Sequence, residues 1–375
     1  MSYLKLYSCT IPIKGYNRVL LYDIQRKDSF SIGLEYINIL SQLEKGIETV
    51  KLTKEDTDLI HFLKSNNLTF KTTEPNNFPA ISSTFNKQYI ITNLIFNVSE
   101  DNRNSLSNNI VGMFDSLSVE AILLNIDVDN HSEINSIIEK LSNSTARSIE
   151  ISFTNKQKNI TTKYCEQLIR DFPRIKRIYT FNTSSDDVQK HYSDCFIISS
   201  KQQFNNFKNY RQSKDYLSIN QTLFIESQKQ HTYFNRKLYI GGSGEIKNAP
   251  ECEEEFGYIQ DIKDVEELKQ VIAKTKFQKY WFAHKELIDV CKDCEFRHMC
   301  VDNRLPHQRK DSSWYHKLEC NYNPYICKWE NEDGYQTLKE CGVISNENGF
   351  SINHEKIAII NNMLWKEEET EDAKK

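Results

Sequence analysis

The chain has 375 residues, 38% of them hydrophobic and 27% charged, and a formal net charge of −4. That length accommodates two or three domains, and the acidic balance gives no basic face for a nucleic-acid partner. No apolar run reaches the length of a membrane span, residues 1–5 lack the apolar core of a signal peptide, and ten cysteines fit a reducing compartment. A cytoplasmic protein with no membrane and no nucleic-acid partner is the expectation.

The first 75 residues read as strands followed by helices. Leu4 to Ile13 alternates in part, Arg18 to Asp23 is a short apolar run, and Ser29 to Ile32 is a third strand. Lys14-Gly15 and Arg26 to Asp28 are turn-like separators. Leu34, Ile37, Leu40 and Leu43 recur at helical spacing. Thr53 with Asp56 three residues on resembles a capping box, opening a helix whose buried face is Leu59, Ile60, Phe62 and Leu63. This order is a winged-helix outline, unless the strands simply cap the next domain.

Residues 72–79, with two prolines, form the best boundary. Strand and helix patterns then alternate. Strands are expected at 88–98, 121–126, 148–153, 177–181 and 194–198, and helices at 106–117, 132–141, 162–172 and 185–192. This alternation predicts βαβ units and a parallel sheet covered on both faces. A partial (β/α) barrel over 80–225 is the expected architecture. Asp127 and Asp129 lie past the end of one of its strands, where such folds place sites, although solvated loop acids read the same way. Residues 226–365 form the C-terminal part, and the charged stretch 366–375 reads as a tail.

That C-terminal part carries the most specific signal. Cys291, Cys294 and Cys300 follow a C-x2-C-x5-C spacing, with Cys320 and Cys327 beyond them. Two cysteines three apart can point their sulfurs at one ion, and later ones can close the shell. Such thiolate sets hold Zn²⁺ or an iron–sulfur cluster. The expected ligands are Cys291, Cys294, Cys300 and Cys320, with Cys327 a buried thiol. His231 and His298 read as ordinary polar histidines.

The run Cys291 to Cys300, with Arg297 between the second and third cysteines, resembles the SPASM domain, the cluster-binding extension of many radical-SAM enzymes that modify ribosomal peptides. The segment Tyr239 to Asn248 resembles the hairpin that opens such domains. Cys320 to Trp329 extends the likeness to the SPASM-containing peptide maturases that work beside an ATP-grasp ligase. The fold implied is α/β: a winged-helix-like recognition element (1–75), a degenerate radical-SAM-like partial (β/α) barrel (80–225) and a SPASM-like metal-binding domain (226–365). In that family the leader peptide adds to the third strand by β-augmentation. Here that implicates Ser29, Phe30, Ser31 and Ile32, with Leu59, Phe62 and Leu63 beside them.

The sequence departs from the family in one decisive place. The radical-SAM loop needs C-x3-C-x2-C, but residues 99–105 after Val98 contain no cysteine, and no such spacing occurs elsewhere. No S-adenosylmethionine is therefore expected. Arg304 stands where the fuller SPASM pattern has a further cysteine. The resemblance then implies one [4Fe–4S] cluster, with Zn²⁺ as the alternative. It also implies a protein that binds a ribosomal precursor peptide and presents it to an ATP-grasp peptide ligase. Two alternatives stay open: an enzyme that modifies the peptide through its single cluster, and a structural zinc-binding protein.

Overall fold

A computed structural model describes residues 1–82, 84, 89–128, 130–191, 195–204 and 217–366. Contacts group the chain into two compact units. The first joins Met1–Asn86, Arg211–Thr232 and Phe282–Lys375; the second joins Lys87–Tyr210 and Tyr233–Trp281. The span 226–365 is thus divided between the two, and the N-terminal elements share a unit with the cysteine run.

The expected first strand is broken. Tyr3–Leu6 (β1) and Thr10–Lys14 (β2) lie in different sheets, because the chain turns between them, with Thr10 N–H donating to Tyr7 O at 2.8 Å. Arg18–Asp23 (β3) and Asp28–Gly33 (β4) complete an antiparallel β2-β3-β4 sheet. Helix α1 (Ile37–Lys45) follows, then Ile47–Glu48 (β5), helix α2 (Thr57–Ser65) and Thr69–Thr72 (β6). The strands β5-β1-β6 form a second small sheet. Thr53 does not cap α2 directly. Its N–H and hydroxyl bond Asp56 Oδ2 at 2.9 and 2.8 Å, and the helix starts one residue later.

The β2-β3-β4 sheet is covered on both faces. Val19, Leu21 and Ile32 join Leu4, Leu40, Leu43, Leu59 and Leu63 in one core. The alternate residues Leu20 and Tyr22 join Ile13, Phe224 and Met299 in another. Period-2 alternation in β3 therefore serves two cores rather than a core and solvent.

The second unit is built on Asn93–Val98 (β7), α3 (Asn108–Ser116), Ala121–Ile126 (β8), α4 (His131–Lys140), Ser148–Phe153 (β9), α5 (Thr162–Asp171) and Ile175–Thr180 (β10). Asp187–His191 (β11) and Cys195–Ser199 (β12) follow. The helix expected at 185–192 is instead the strand β11, paired antiparallel with β12. Its sequence offers no apolar helical face, and the neighbouring edge supplies the hydrogen bonds. Helix α6 (Gln221–Ser227) belongs to the first unit, and Lys237–Ile240 (β13), Ile246–Lys247 (β14) and α7 (Val265–Ile272) to the second. The sheet order is β11-β12-β10-β9-β8-β7-β13-β14, with a parallel interior and an antiparallel strand at each edge. The chain is therefore mixed α/β.

The connections from β7 to β10 step one way along the sheet, and right-handed crossovers then put α3, α4 and α5 on the same face. That face holds Phe96, Leu124, Ile151 and Phe153 against Phe114, Ile138 and Leu168. The opposite face is polar, against the expectation of two apolar ones: Asn97, Asn125, Ser152 and Tyr179 lie in register across β7, β8, β9 and β10. The sequence runs look apolar because β-branched and leucine residues also occupy several positions of the second face, as Ile95 and Leu123 do. The hairpin expected at the glycines is present as β13-β14, with Gly244 at φ +89°.

The first unit ends in short hairpins: Pro306–Gln308 (β15) with Trp314–His316 (β16), Tyr322–Asn323 (β17) with Lys328–Trp329 (β18), and Val343–Asn346 (β19) with Gly349–Ile352 (β20). Helix α8 (His354–Lys366) closes it. Asp129 and the stretch 367–375 lie outside the described residues. No helix among the described residues is long and apolar enough to cross a membrane. Ile151 is fully buried between the second unit's sheet and its helices. Ile151→Ala should lower that unit's stability by about 2–5 kcal/mol, read as a shifted urea midpoint at unchanged slope.

Candidate functional site

The cysteine run makes a one-turn 3-10 helix at Cys291–Asp293 and then a series of turns. Cys291 O accepts from Cys294 N–H at 3.1 Å, so the C-x2-C pair brackets one tight turn. All ten cysteines are free thiols. Cys294, Cys300 and Cys320 each lie within electrostatic reach of Cys291, and Cys300 also of Cys320 and Cys294. The four thiols thus share one electrostatic neighbourhood. Burial pushes the thiols of Cys294, Cys300 and Cys320 up, and the neighbouring sulfurs add to it. An incoming cation removes that penalty, since ligation needs thiolates. The donor set therefore fits a thiolate-bound metal.

Around the thiols lies a buried charged network that the spacing alone did not reveal. Lys285 is 2% exposed and bonds Asp302 Oδ2 at 2.5 Å. Arg304 Nη2 bonds the same oxygen at 2.7 Å and reaches Cys291 Sγ at 3.7 Å. Burial opposes the charge on Asp302, but Arg304 and Lys285 outweigh it and hold the carboxyl well below its usual range. Arg304 is thus a cationic neighbour of Cys291 and Cys320. His316 faces Asp302 Oδ2 at 3.7 Å, and its Nδ1 lies 3.3 Å from Leu305 O. Burial pushes this imidazole well down, so it is neutral. With Nδ1–H on the carbonyl, Nε2 keeps its lone pair. Cys291, Asp302 and His316 place their ligand atoms within 4.8 Å of one another and could hold a metal ion. Among the described residues no three of the four cysteines come as close.

The other residues singled out in the sequence have partners of their own. Cys327 is buried with Arg18, Tyr322 and Glu295 around it, and burial followed by the charge on Glu295 pushes its thiol up to about 12. His298 is held by Ser227 Oγ at 2.8 Å and by Glu286 at 3.5 Å. His231 is buried, and Cys252 belongs to the second unit. Asp127 accepts from Thr154 Oγ1 and from Lys156 Nζ, both at 2.6 Å.

Glu295, between two of the cysteines, ties the N-terminal sheet to this run. Its side chain is 0% exposed and bonds Arg18 Nε and the Tyr322 hydroxyl, both at 2.5 Å. Tyr22 donates its hydroxyl to Glu295 O at 2.6 Å, and Arg297 Nη1 donates to Lys14 O at 2.8 Å. A Cβ on Gly15 would stand 3.0 Å from both Glu295 Cβ and Arg18 O, so the hairpin can approach only with glycine there.

The expected peptide-binding residues sit on β4 and α2. Leu59 and Leu63 are core residues and face no open groove. Phe30 and Phe62 are half-buried and meet edge to face at 5.7 Å. The outward backbone groups of β4 follow from its neighbours. Gly15 N–H bonds Arg18 O and Ile24 N–H bonds Cys9 O, so even-numbered β3 residues direct their backbone groups to β2. Val19, Leu21 and Asp23 must then face β4, where they pair with Ile32, Phe30 and Asp28. Ser29, Ser31 and Gly33 are left pointing their backbone groups at the outer edge, where the Ser29 N–H is already taken by Asp28 Oδ1 at 2.8 Å. Among the described residues no strand pairs with that edge.

No family model, no curated protein and no solved structure matches this chain. Removing the buried carboxylate in Glu295→Ala would leave Arg18 unpaired, at a cost of about 3–5 kcal/mol. The expected result is a lower first unfolding midpoint in denaturant, with Glu295→Gln, which keeps a hydrogen-bond acceptor, falling between the two.

Proposed function

We propose that this protein takes part in maturing a ribosomally made peptide beside an ATP-grasp ligase, binding and presenting the precursor without radical-SAM chemistry. The observation that carries the reading is the open outer edge of β4, with the Phe30–Phe62 pair beside it. A peptide strand added there gains main-chain bonds from the Ser29 carbonyl and from Ser31 and Gly33, and the aromatic pair offers an apolar anchor. In this reading the N-terminal sheets and helices act as the winged-helix-like recognition element, the second unit as the degenerate partial barrel, and the cysteine run as the SPASM-like domain.

The cofactor in this reading is one [4Fe–4S] cluster on Cys291, Cys294, Cys300 and Cys320. Two observations support it. A lone tetrahedral zinc, at about 2.3 Å from each sulfur, would draw four thiolates to roughly 4 Å apart, whereas a cubane seats each on a different iron and holds them wider. Among the described residues no three of these thiols form a group within 4.8 Å of one another, as a lone zinc would require. Lys285 and Arg304 also place two buried cations beside a group that is anionic with four thiolates. A second reading, structural zinc, draws on the tighter Cys291–Asp302–His316 group; the two cations already bound to Asp302 weigh against it.

Protein prepared anaerobically should be brown and hold about four irons and four sulfides per chain, as one cubane requires. Cys294→Ala and Cys300→Ala should abolish this, and Cys327→Ala should not. One zinc without sulfide would establish the second reading instead.

The peptide edge is tested with a short peptide encoded beside this chain and an ATP-grasp ligase. Ser31→Pro removes an outward N–H while sparing the β3-β4 ladder, and should weaken binding tenfold or more by calorimetry. Ser31→Ala should bind normally. Equal affinity of a folded Ser31→Pro protein would place the peptide elsewhere. Phe30→Pro is no substitute, because Phe30 faces Leu21 and its loss of N–H breaks the sheet itself.

A further inference from the structure

The second unit carries a cavity of about 690 Å³ that neither the metal nor the peptide edge uses. Its walls come from the segments just past the parallel strands: Ser99 after β7, Asp127 after β8, Thr154 after β9, Asn182 after β10 and Gly242 after β13. In open α/β sheets ligands sit beyond the carboxyl ends of the strands, where loops from several strands converge.

The floor is polar and incompletely bonded. Asn125 Nδ2 donates to Asn97 Oδ1 at 2.7 Å, and Asn97 Nδ2 donates to the Tyr239 hydroxyl at 2.7 Å. This relay fixes the orientation of Asn125 and leaves its Oδ1, on a residue only 5% exposed, without a partner. In register with it on β9, Ser152 is 1% exposed and its hydroxyl is also unpartnered. Buried polar groups are bonded as a rule, and an exception calls for a reason. The Asn125 exception lines the cavity itself, with Ser152 beside it in register, and is what a bound ligand would satisfy.

The lining also sets the ligand's charge. Its one cation, Lys156, is already engaged by Asp127 at 2.6 Å. Glu245 adds a second carboxylate, while Asn97, Asn125 and Asn182 offer carboxamides. Among the described lining residues an anion would meet two carboxylates and no free cation. We infer that this cavity binds an uncharged polar small molecule, rich in N–H and O–H donors, which places a donor on Asn125 Oδ1. The size fits a nucleoside, an N-acetylated amino sugar or an N-acetylated dipeptide amide.

The test uses the full chain and saturation-transfer NMR with inosine, N-acetylglucosamine and N-acetyl-alanyl-asparagine amide, and with inosine monophosphate as an anionic counterpart. At least one neutral probe should bind at millimolar concentration or below, and Asn125→Leu should weaken it tenfold or more. The monophosphate should bind no better than inosine. Failure of all three neutral probes would overturn the inference. So would binding unchanged by Asn125→Leu, or tighter binding of the anion. Should Asn125→Leu fail to fold, a crystal of the unaltered chain soaked with the bound probe decides. A probe donor on Asn125 Oδ1 supports the inference, and a probe seated elsewhere overturns it.

Discussion

The first unit depends on a single buried carboxylate. Glu295 lies between two of the clustered cysteines and is bonded by Arg18 from the N-terminal sheet and Tyr322 from the hairpin beyond Cys320. A buried charge is tolerated only when paired and hydrogen-bonded. Glu295 therefore forces three sequence-distant segments to meet. Tyr22 and Arg297 then fasten the same interface through main-chain carbonyls, and Phe224 and Met299 fill the apolar space beside it.

The same logic governs the charges at the sulfurs. Buried thiols occupy a dry place, and Lys285 and Arg304 stand beside them. Asp302 bonds both cations through one oxygen and offsets their mutual repulsion.

Much of the architecture was legible in the sequence. The limits of β3, β8 and β9 coincide with apolar runs, because central strands in a packed sheet have little choice of residue. The C-x2-C-x5-C spacing located the sulfurs, since a tight turn imposes it. Other features were not legible because their cause is not local. Strand β11 has a polar sequence and exists only because β12 offers it an edge. Asp302 and His316 carry no spacing signal; burial beside Cys291 gives them meaning. Glu295 carries no local signal; Arg18, far away in sequence, gives it its role. The polar face of the large sheet was hidden by apolar residues that share it.

The hairpin carrying Gly15 and Tyr16 bonds residues near the far end of the chain: Tyr16 N–H donates to Asp293 O, and its hydroxyl lies 2.6 Å from His354 Nδ1. During synthesis the amino-terminal sheet leaves the ribosome long before those partners exist. Leu20, Tyr22 and Ile24 face a core whose other half, Phe224 and Met299, has yet to be made. The second unit's β7 to β12 come from one stretch of chain and mature earlier, so the nascent protein passes through a stage with a folded middle and a sticky beginning. Contacts of such long sequence separation form slowly, and exposed apolar strands are aggregation-prone while they wait. The sequence separation of Leu20, Tyr22 and Ile24 from Phe224 and Met299 thus sets how long these apolar residues wait uncovered.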